Sequence, residues 1–471
     1  MRVSFEWLQE YVKIDLSIEE LADKMTMSGI AVEEIEDMAV AKVVSLEKHG
    51  QADNLLVAKL DAGSFGEKQV ITAAKNLRVG DLTPLALSGA VLPDGKIIKD
   101  VDFKGVVSEG MLCSGAELGL EKESAGIWVF DAPLQPGTSV AEALGNNDLV
   151  LVLELTANRS DCLGMIGVAR EVAAILGTSF KSPEPVLKEE GPSIEDLIEV
   201  KIEDPDLCPR YAARVAVDLK IGPSPLWMQR RLKASGIRPI NNIVDITNYV
   251  MLEYNQPLHA FDLDRISDGR LIIRRAFEGE ELTTLDDLKR RFNRDDLLIA
   301  DPSGGLCVAG VMGGKSSEIS EGTVNLLLEA AYFDPISIRK TAKILGMRTE
   351  ASLRFERGID PNNTVNALNR AVQLIEALGC GKVARGYRDE YPRPIAPALI
   401  NTTSARINSW LGTDLTLEEI SGFLSRVCFE VKATNDQQFE VKVPTFRRDV
   451  THMADLAEEV ARLNGYDQIG V

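Results

Sequence analysis

Apolar positions along the first third of the chain change period twice. In the first 39 residues Phe5, Leu8, Tyr11 and Val12 keep helical spacing, and Ser17 with Glu20 forms a capping box for a helix over 18–27, which Gly29 ends. From Val40 the spacing becomes alternating. The runs VAKVVSLEKH, LLVAKLDAG, KQVITAA, LTPLALSGAVLP and KIIKDVDFKGVV, broken by Gly, Asp and Pro, predict a small β-barrel that closes near Gly145. A strand, LVLVLELTA, then leads into NRSDCLGMIGVAREVAAILG, a helix whose apolar face is Met165, Val168, Ala169, Val172 and Ile175. These elements complete the domain begun at residue 1, so the barrel (40–147) is expected as an insert between 1–39 and 148–200.

Proline sets the remaining boundaries. KSPEPVLKEEGPSIEDL separates the split domain from a mixed strand and helix body over 203–390, and RDEYPRPIAPAL introduces a last unit over 400–471. That unit reads as helices at 403–411 and 417–427, a hairpin made of FEVKAT and FEVKVP, and a closing helix in DVTHMADLAEEVARLNGY, a winged-helix-like set. The fold class expected is α+β, multidomain.

Composition narrows the chemistry. The chain has 471 residues, 45% of them hydrophobic, and a formal charge of −20, which opposes wholesale nucleic-acid binding. Between Val40 and Leu120, however, nine Lys/Arg face ten Asp/Glu, so the barrel is almost neutral. No stretch approaches the ~20 apolar residues of a membrane span and the opening lacks a signal-peptide layout, so a cytoplasmic location is expected. The six cysteines stand at least 46 residues apart, which fits buried thiols better than a zinc knuckle or a disulfide framework.

Candidate chemistry concentrates in GIRPINNIVDITNYVMLEYNQPLHAFDLDRI, which holds one of only three histidines, His259, among neutral amides. Such a set suits recognition of a polar, uncharged group; the alternative is a well-bonded core histidine after a proline turn. A second cluster follows: the Gly-rich run GGLCVAGVMGG, then NLLLEAAYF with Glu329 after four largely apolar residues, then RTEASLRFERGID. Glu329 is either a site carboxylate or one half of a rim ion pair with Arg354 or Arg357. In the last helix Asp455, Glu458 and Glu459 share one face, with Asp449 just ahead; a solvated acidic face is the common meaning of such a run.

Six motifs in one order resemble the N-terminal two-thirds of the β subunit of bacterial phenylalanyl-tRNA synthetase. They are SFEWLQEYV with GIAVEEIE; KHGQADNLLVAKLD with GVVSEGMLCSGAELGL; TANRSDCLGMIGVAREVAA; the Asn/His run; LLLEAAYFDPISIRKTAKILGMRTEASLRFERGIDP; and VPTFRRDVTHMADLAEEVARLNGYDQI. Ala157 departs from the proline usual before Asn-Arg. The resemblance implies an oligonucleotide-binding-type barrel for tRNA, with Lys48, Lys59, Lys75 and Lys99 as candidate phosphate contacts, and a central editing domain. It implies an editing centre at Arg238, Thr247, Asn248, His259, Gly313, Glu329, Thr349 and Ala351, which removes tyrosine wrongly esterified to tRNA(Phe). It also implies a magnesium site at Asp449, Asp455, Glu458 and Glu459 shared with an α subunit, within an α2β2 heterotetramer that uses ATP to charge tRNA(Phe). The family's catalytic-like and anticodon-binding modules are expected beyond Val471, so this chain is expected not to charge tRNA by itself.

Tyrosine exceeds phenylalanine by one hydroxyl, an addition that an apolar pocket rejects only about 10²-fold. A second site that bonds the hydroxyl directly solves this. His259 and Glu329 are expected to receive the phenol, and the absence of a Ser-His-Asp or Cys-His set points to a positioned water, with Thr349 and backbone NH groups near Gly313 and Gly314 either orienting it or stabilising the oxyanion. A general-base role for His259 is the second choice, and a non-enzymatic tRNA-binding scaffold is the competing class.

Overall fold

The computed structural model describes residues 1–471 apart from 37, 91, 93–95, 97, 122, 145–147, 436 and 470–471, so the expected barrel end at Gly145 and the terminal Val471 fall outside the described residues. Near the N-terminus the helix Ile18–Met27 carries the Ser17/Glu20 capping box, and Gly29 follows it at φ +88°. The strand Val150–Glu154 lies between Arg2–Ser4 and Ala31–Glu36, antiparallel to both. One small sheet therefore takes strands from both sides of the barrel.

In the barrel, a five-stranded sheet runs in the order Glu67–Thr72, Leu56–Asp61, Met38–Lys48, Leu82–Leu87, Gly110–Leu112. Alternation puts Ala41, Val43, Ala58, Leu60, Val70 and Leu85 inside. The two edges nearly meet: Glu109 N donates to Gln69 O at 2.8 Å, and Gln69 N donates to the Glu109 carboxylate at 3.0 Å. The run read as one strand after Lys96 is in part a short hairpin, Val101–Phe103 with Val106–Ser108. Lys104 and Gly105 turn it at φ +54° and +88°, the two positive values that a two-residue hairpin turn needs.

The middle body is built on two sheets. The first takes Leu258–Asp262, Leu326–Tyr332, Arg210–Val217 and Lys382–Val383 in that order. All seven residues of its strand Leu326–Tyr332 are buried, because both faces are covered, so the sequence shows a continuous apolar run with no alternation. Leu326, Leu328 and Ala330 face helices Asn242–Tyr254 and Thr364–Ala377. Leu327 and Ala331 face the second sheet, which runs Glu199–Ile202, Arg270–Arg275, Leu297–Asp301, Gly304–Val308, Met312–Gly313. Tyr249 of the helix Asn242–Tyr254 stacks on Trp7 at 4.6 Å between centroids, tying this body to the short helix Phe5–Gln9.

The last unit has the expected helices and hairpin plus a third strand, Ala398–Thr403, paired to Gln438–Val443. Three prolines just before it make that stretch look like linker. Its alternation is nonetheless present, with Ile400 and Thr402 inward.

Candidate functional site

Strand pairing creates the central contact. His259 and Glu329 are directly opposite on neighbouring antiparallel strands, with Ala213 on the other side of Glu329. Strand parity puts Glu329 in phase with Leu327 and Ala331, and His259 in phase with Phe261, so both aim into the layer between the two sheets. The imidazole meets Phe261 edge-on at 4.5 Å and keeps part of its surface accessible. Burial lowers its pKa to about 4, so it is neutral near pH 7.

Glu329 is 5% exposed and has no cationic partner among the described residues, which removes the rim ion pair; Arg354 is bound instead to Glu350 and to Leu163 O. Desolvation raises the Glu329 pKa to about 8, against the opposing effect of a hydrogen bond that Tyr211 Oη donates at 3.0 Å. Near neutrality the carboxyl is therefore mostly protonated.

Gly313 completes this corner. A Cβ there would meet His259 Cε1 at 2.5 Å and Leu285 Cδ1 at 2.9 Å, so only glycine lets the ring sit where it does. The glycine run thus admits the protein's own side chain, and at Gly314 its own backbone, since a Cβ would come within 2.1 Å of Leu306 O. Two residues before Gly313, the Val311 carbonyl accepts from Thr349 Oγ1 at 3.0 Å. That hydroxyl also accepts from Ser352 N at 3.0 Å as the cap of helix Glu350–Arg357. Its one proton is engaged, so Thr349 is left with an acceptor lone pair, fit to orient a water and unfit to donate to an oxyanion. Ala351 packs against the same apolar layer.

Arg238, Thr247 and Asn248 come from the stretch ahead of His259. Thr247 and Asn248 belong to helix Asn242–Tyr254, whose apolar side packs on the other face of the sheet, and the Thr247 hydroxyl donates to Val244 O at 2.8 Å. Arg238 is exposed on the loop before that helix. Most of the amides in the run have structural work: Asn241 caps the helix through Ile243 N and Val244 N, Asn255 ends it at φ +57°, and Gln256 bonds Ala331 O at 3.0 Å. Tyr211 was not foreseen from the sequence. Its signal was a single aromatic hydroxyl inside RYAARVAV, a buried strand in which a phenol must find a partner.

The four carboxylates of the last unit do not fit a magnesium ion. Both Asp449 oxygens accept from Arg447, at 2.9 and 2.8 Å, and both Glu459 oxygens accept from Arg447 and Arg462. Asp455 caps the closing helix through Thr451 N and His452 N, and Glu458 is exposed. Among the described residues no group of three or more His, Cys, Asp or Glu is close enough to hold a metal. Instead Arg447 and Arg462 join Arg159, Asp161 and Glu171 of the split domain in one buried network, with Arg159 to Glu171 at 2.6 Å and Arg462 to Glu171 at 2.7 Å.

Lys48, Lys59, Lys75 and Lys99 are all exposed on the barrel. A recess of about 530 Å³ lies elsewhere, between the split domain, the first proline linker and the last unit, and none of the candidate residues lines it. The strand geometry, with its paired and partly unsatisfied polar groups, is the stronger marker of chemistry than that volume.

Family models match three stretches: "Putative tRNA binding domain" over residues 38–139, "B3/4 domain" over 207–380, and "tRNA synthetase B5 domain" over 400–466. The phenylalanine–tRNA ligase beta subunit of Moorella thermoacetica is 46% identical over 100% of this chain and 60% of its own length, and that of Geobacter metallireducens is 45% identical over the same shares. The chain belongs to the phenylalanine–tRNA ligase beta subunit family. It spans 60% of the length of these curated relatives. An N-terminal fragment of the phenylalanyl-tRNA synthetase beta subunit from Pyrococcus horikoshii covers 98% of this chain and 99% of that chain at 13% identity and a TM-score of 0.43. In family terms, the His259–Glu329 pair lies within the B3/4 domain, and the ionic network joins the B5 domain to the split domain. No helix among the described residues is long and apolar enough to cross a membrane.

Proposed function

We propose that this chain hydrolyses tyrosine wrongly esterified to tRNA(Phe), as the editing part of a phenylalanine–tRNA ligase. The observation that carries the reading is the buried carboxyl of Glu329, which faces His259 across the strand pair and already bonds a phenol, that of Tyr211. A tyrosyl side chain entering beside His259 brings a second phenol to the same carboxyl. A phenylalanyl side chain brings none and leaves the polar groups desolvated and unpaired, at a cost of about 1–3 kcal/mol. Neutral His259 serves such a hydroxyl as hydrogen-bond partner, and Thr349 orients the attacking water as an acceptor.

The assay is hydrolysis of tyrosyl-tRNA(Phe) against phenylalanyl-tRNA(Phe) by the purified chain. A preference for the tyrosyl ester supports the reading. Equal rates, or no hydrolysis by the chain or by the complete ligase, refute it and leave the scaffold class.

The barrel is assigned tRNA contact through phosphates, from Lys48, Lys59, Lys75 and Lys99, and affinity is expected to fall steeply with salt. With a partner α subunit in an α2β2 assembly, the whole ligase attaches phenylalanine to tRNA(Phe) using ATP; within that assembly this chain supplies editing and tRNA binding.

A further inference from the structure

On the inner face of the first sheet, the side chains around Glu329 form a small grid. Leu327, Glu329 and Ala331 run down the middle, His259 and Phe261 lie on one side, and Tyr211, Ala213 and Val215 lie on the other. The two alanines beside Glu329 leave room for Tyr211 to reach it diagonally from opposite Ala331. Tyr211 is fully buried, and its Oη donates to Oε2 of Glu329 at 3.0 Å. The other oxygen, Oε1, takes no hydrogen bond among the described residues, and neither does either ring nitrogen of His259; none of these atoms is among the sealed, partnerless ones. The remaining titratable groups facing the carboxyl are Cys208 and Cys307, whose Sγ atoms lie 3.5 Å from Arg210 O and 3.4 Å from Met312 O.

We propose that Tyr211 is a positioning residue of the site: its hydroxyl holds one oxygen of Glu329 so that the other is presented beside His259 to read the hydroxyl of a para-hydroxyphenyl side chain. This rests on the editing reading above. The carboxyl proton stands on Oε1, because Oε2 is the oxygen that accepts from Tyr211. Oε1–H then donates to the oxygen of the incoming phenol, and that phenol donates its own proton to the neutral imidazole. Tyr211 and the carboxyl each donate once, and the incoming phenol accepts once and donates once. A carboxyl free to rotate would offer either oxygen and lose this one-way order. The ligand class is an un-ionised para-phenol on an aminoacyl ester; a side chain with a hydrogen or a methyl group at that position can neither accept from Oε1–H nor donate to His259.

The test compares wild type, Tyr211→Phe and Glu329→Gln in the full chain, by kcat/KM for tyrosyl- and phenylalanyl-tRNA(Phe) across pH, with thermal melting alongside. Tyr211→Phe keeps the ring and so keeps the packing. The expected result is a three- to tenfold loss of preference for the tyrosyl ester with the phenylalanyl rate and the melting temperature unchanged, together with an upward move of the ionisation assigned to Glu329, since the lost hydrogen bond favoured the charged form. A purely structural tyrosine would lower both rates together and leave the preference between the two esters in place, and this would overturn the proposal. If Tyr211→Phe matches wild type while Glu329→Gln loses preference, the positioning role fails and the editing reading stands. If Glu329→Gln also matches wild type, the editing site itself is misassigned.

Discussion

Two of the regions that bury glutamates treat them in opposite ways. Where the split domain meets the last unit, Glu171 and Glu459 lie against Arg159, Arg447 and Arg462, and the guanidinium groups hold both carboxyls well below the usual range despite full burial. In the middle body Glu329 meets a phenol, an imidazole and two thiols and, among the described residues, no cation, and burial raises it to about 8. The first arrangement is self-contained: its charges satisfy one another, and its removal would disturb the docking of two domains. The second is unfinished, with one oxygen and two ring nitrogens lacking partners among the described residues. A folded chain keeps such an unfinished polar group where a ligand completes it.

Arg462→Met is the most severe way to test the contrast. It leaves Glu171 and Glu459 short of cations in a dry interface, and about 3–5 kcal/mol of stability should be lost in urea or thermal unfolding. Glu329→Gln, by comparison, should leave the melting temperature unchanged or raise it. Equal losses from both would erase the distinction drawn here.

Next in size, Glu329→Ala should reduce selection of tyrosyl over phenylalanyl esters about ten- to hundredfold without unfolding the chain, as expected for a hydrogen bond of roughly 1.5–3 kcal/mol. Wild-type selectivity in this variant would sink the assigned role. His259→Ala is expected to act in the same direction and less strongly. A rate-controlling ionisation that disappears with the histidine would instead make His259 the base that activates water.

The two regions should also answer pH with opposite slopes. The folded pKa of Glu329 is raised from 4.5 to about 8, so the folded state holds the extra proton between those values. Stability should fall as pH rises through that window, by at most about 1.4 kcal/mol per unit, and the slope should vanish in Glu329→Gln. Glu171 and Glu459 are depressed, so their contribution is present above the unfolded carboxylate pKa and is lost as pH falls below it. His259, lowered from 6.5 to about 4, adds a loss of stability as pH drops from 6.5. Urea unfolding of wild type and Glu329→Gln at several pH values separates these.

The smallest effect should come from Thr349→Ala, which removes a helix cap and the tie to Val311 O, at a cost of about 1 kcal/mol. If Thr349 also orients the water, the variant should lower kcat more than its small stability loss explains.

Periodicity and turn chemistry made much of the fold legible: the Ser17/Glu20 box, the alternating barrel strands and the helix at 165–176 all have local causes. The strand Ala398–Thr403 was hidden because proline before it outweighed a short alternation. Within the candidate site, His259 and Glu329 stood out as rare polar residues in apolar runs. Asn241, Asn255 and Gln256 looked similar, yet Asn241 caps the helix and the NH2 groups of Asn255 and Gln256 tether backbone carbonyls. The Tyr211–Glu329, Arg447–Glu459 and Arg462–Glu171 contacts could not be found from spacing, because the partners lie 118, 12 and 291 residues apart and only the fold brings them together.

The three-stranded sheet near the N-terminus has a consequence for how the chain is made. Its middle strand, Val150–Glu154, leaves the ribosome more than a hundred residues after Ala31–Glu36. At about 5–20 residues per second, the first two strands wait on the order of ten seconds for the one that joins them. The barrel needs nothing from that sheet and can fold in the interval, drawing the ends of its own insert together. Synthesis order then favours the barrel as the first folded body, and the N-terminal strands, with Trp7 and Leu8 still uncovered, as the segment a chaperone would meet.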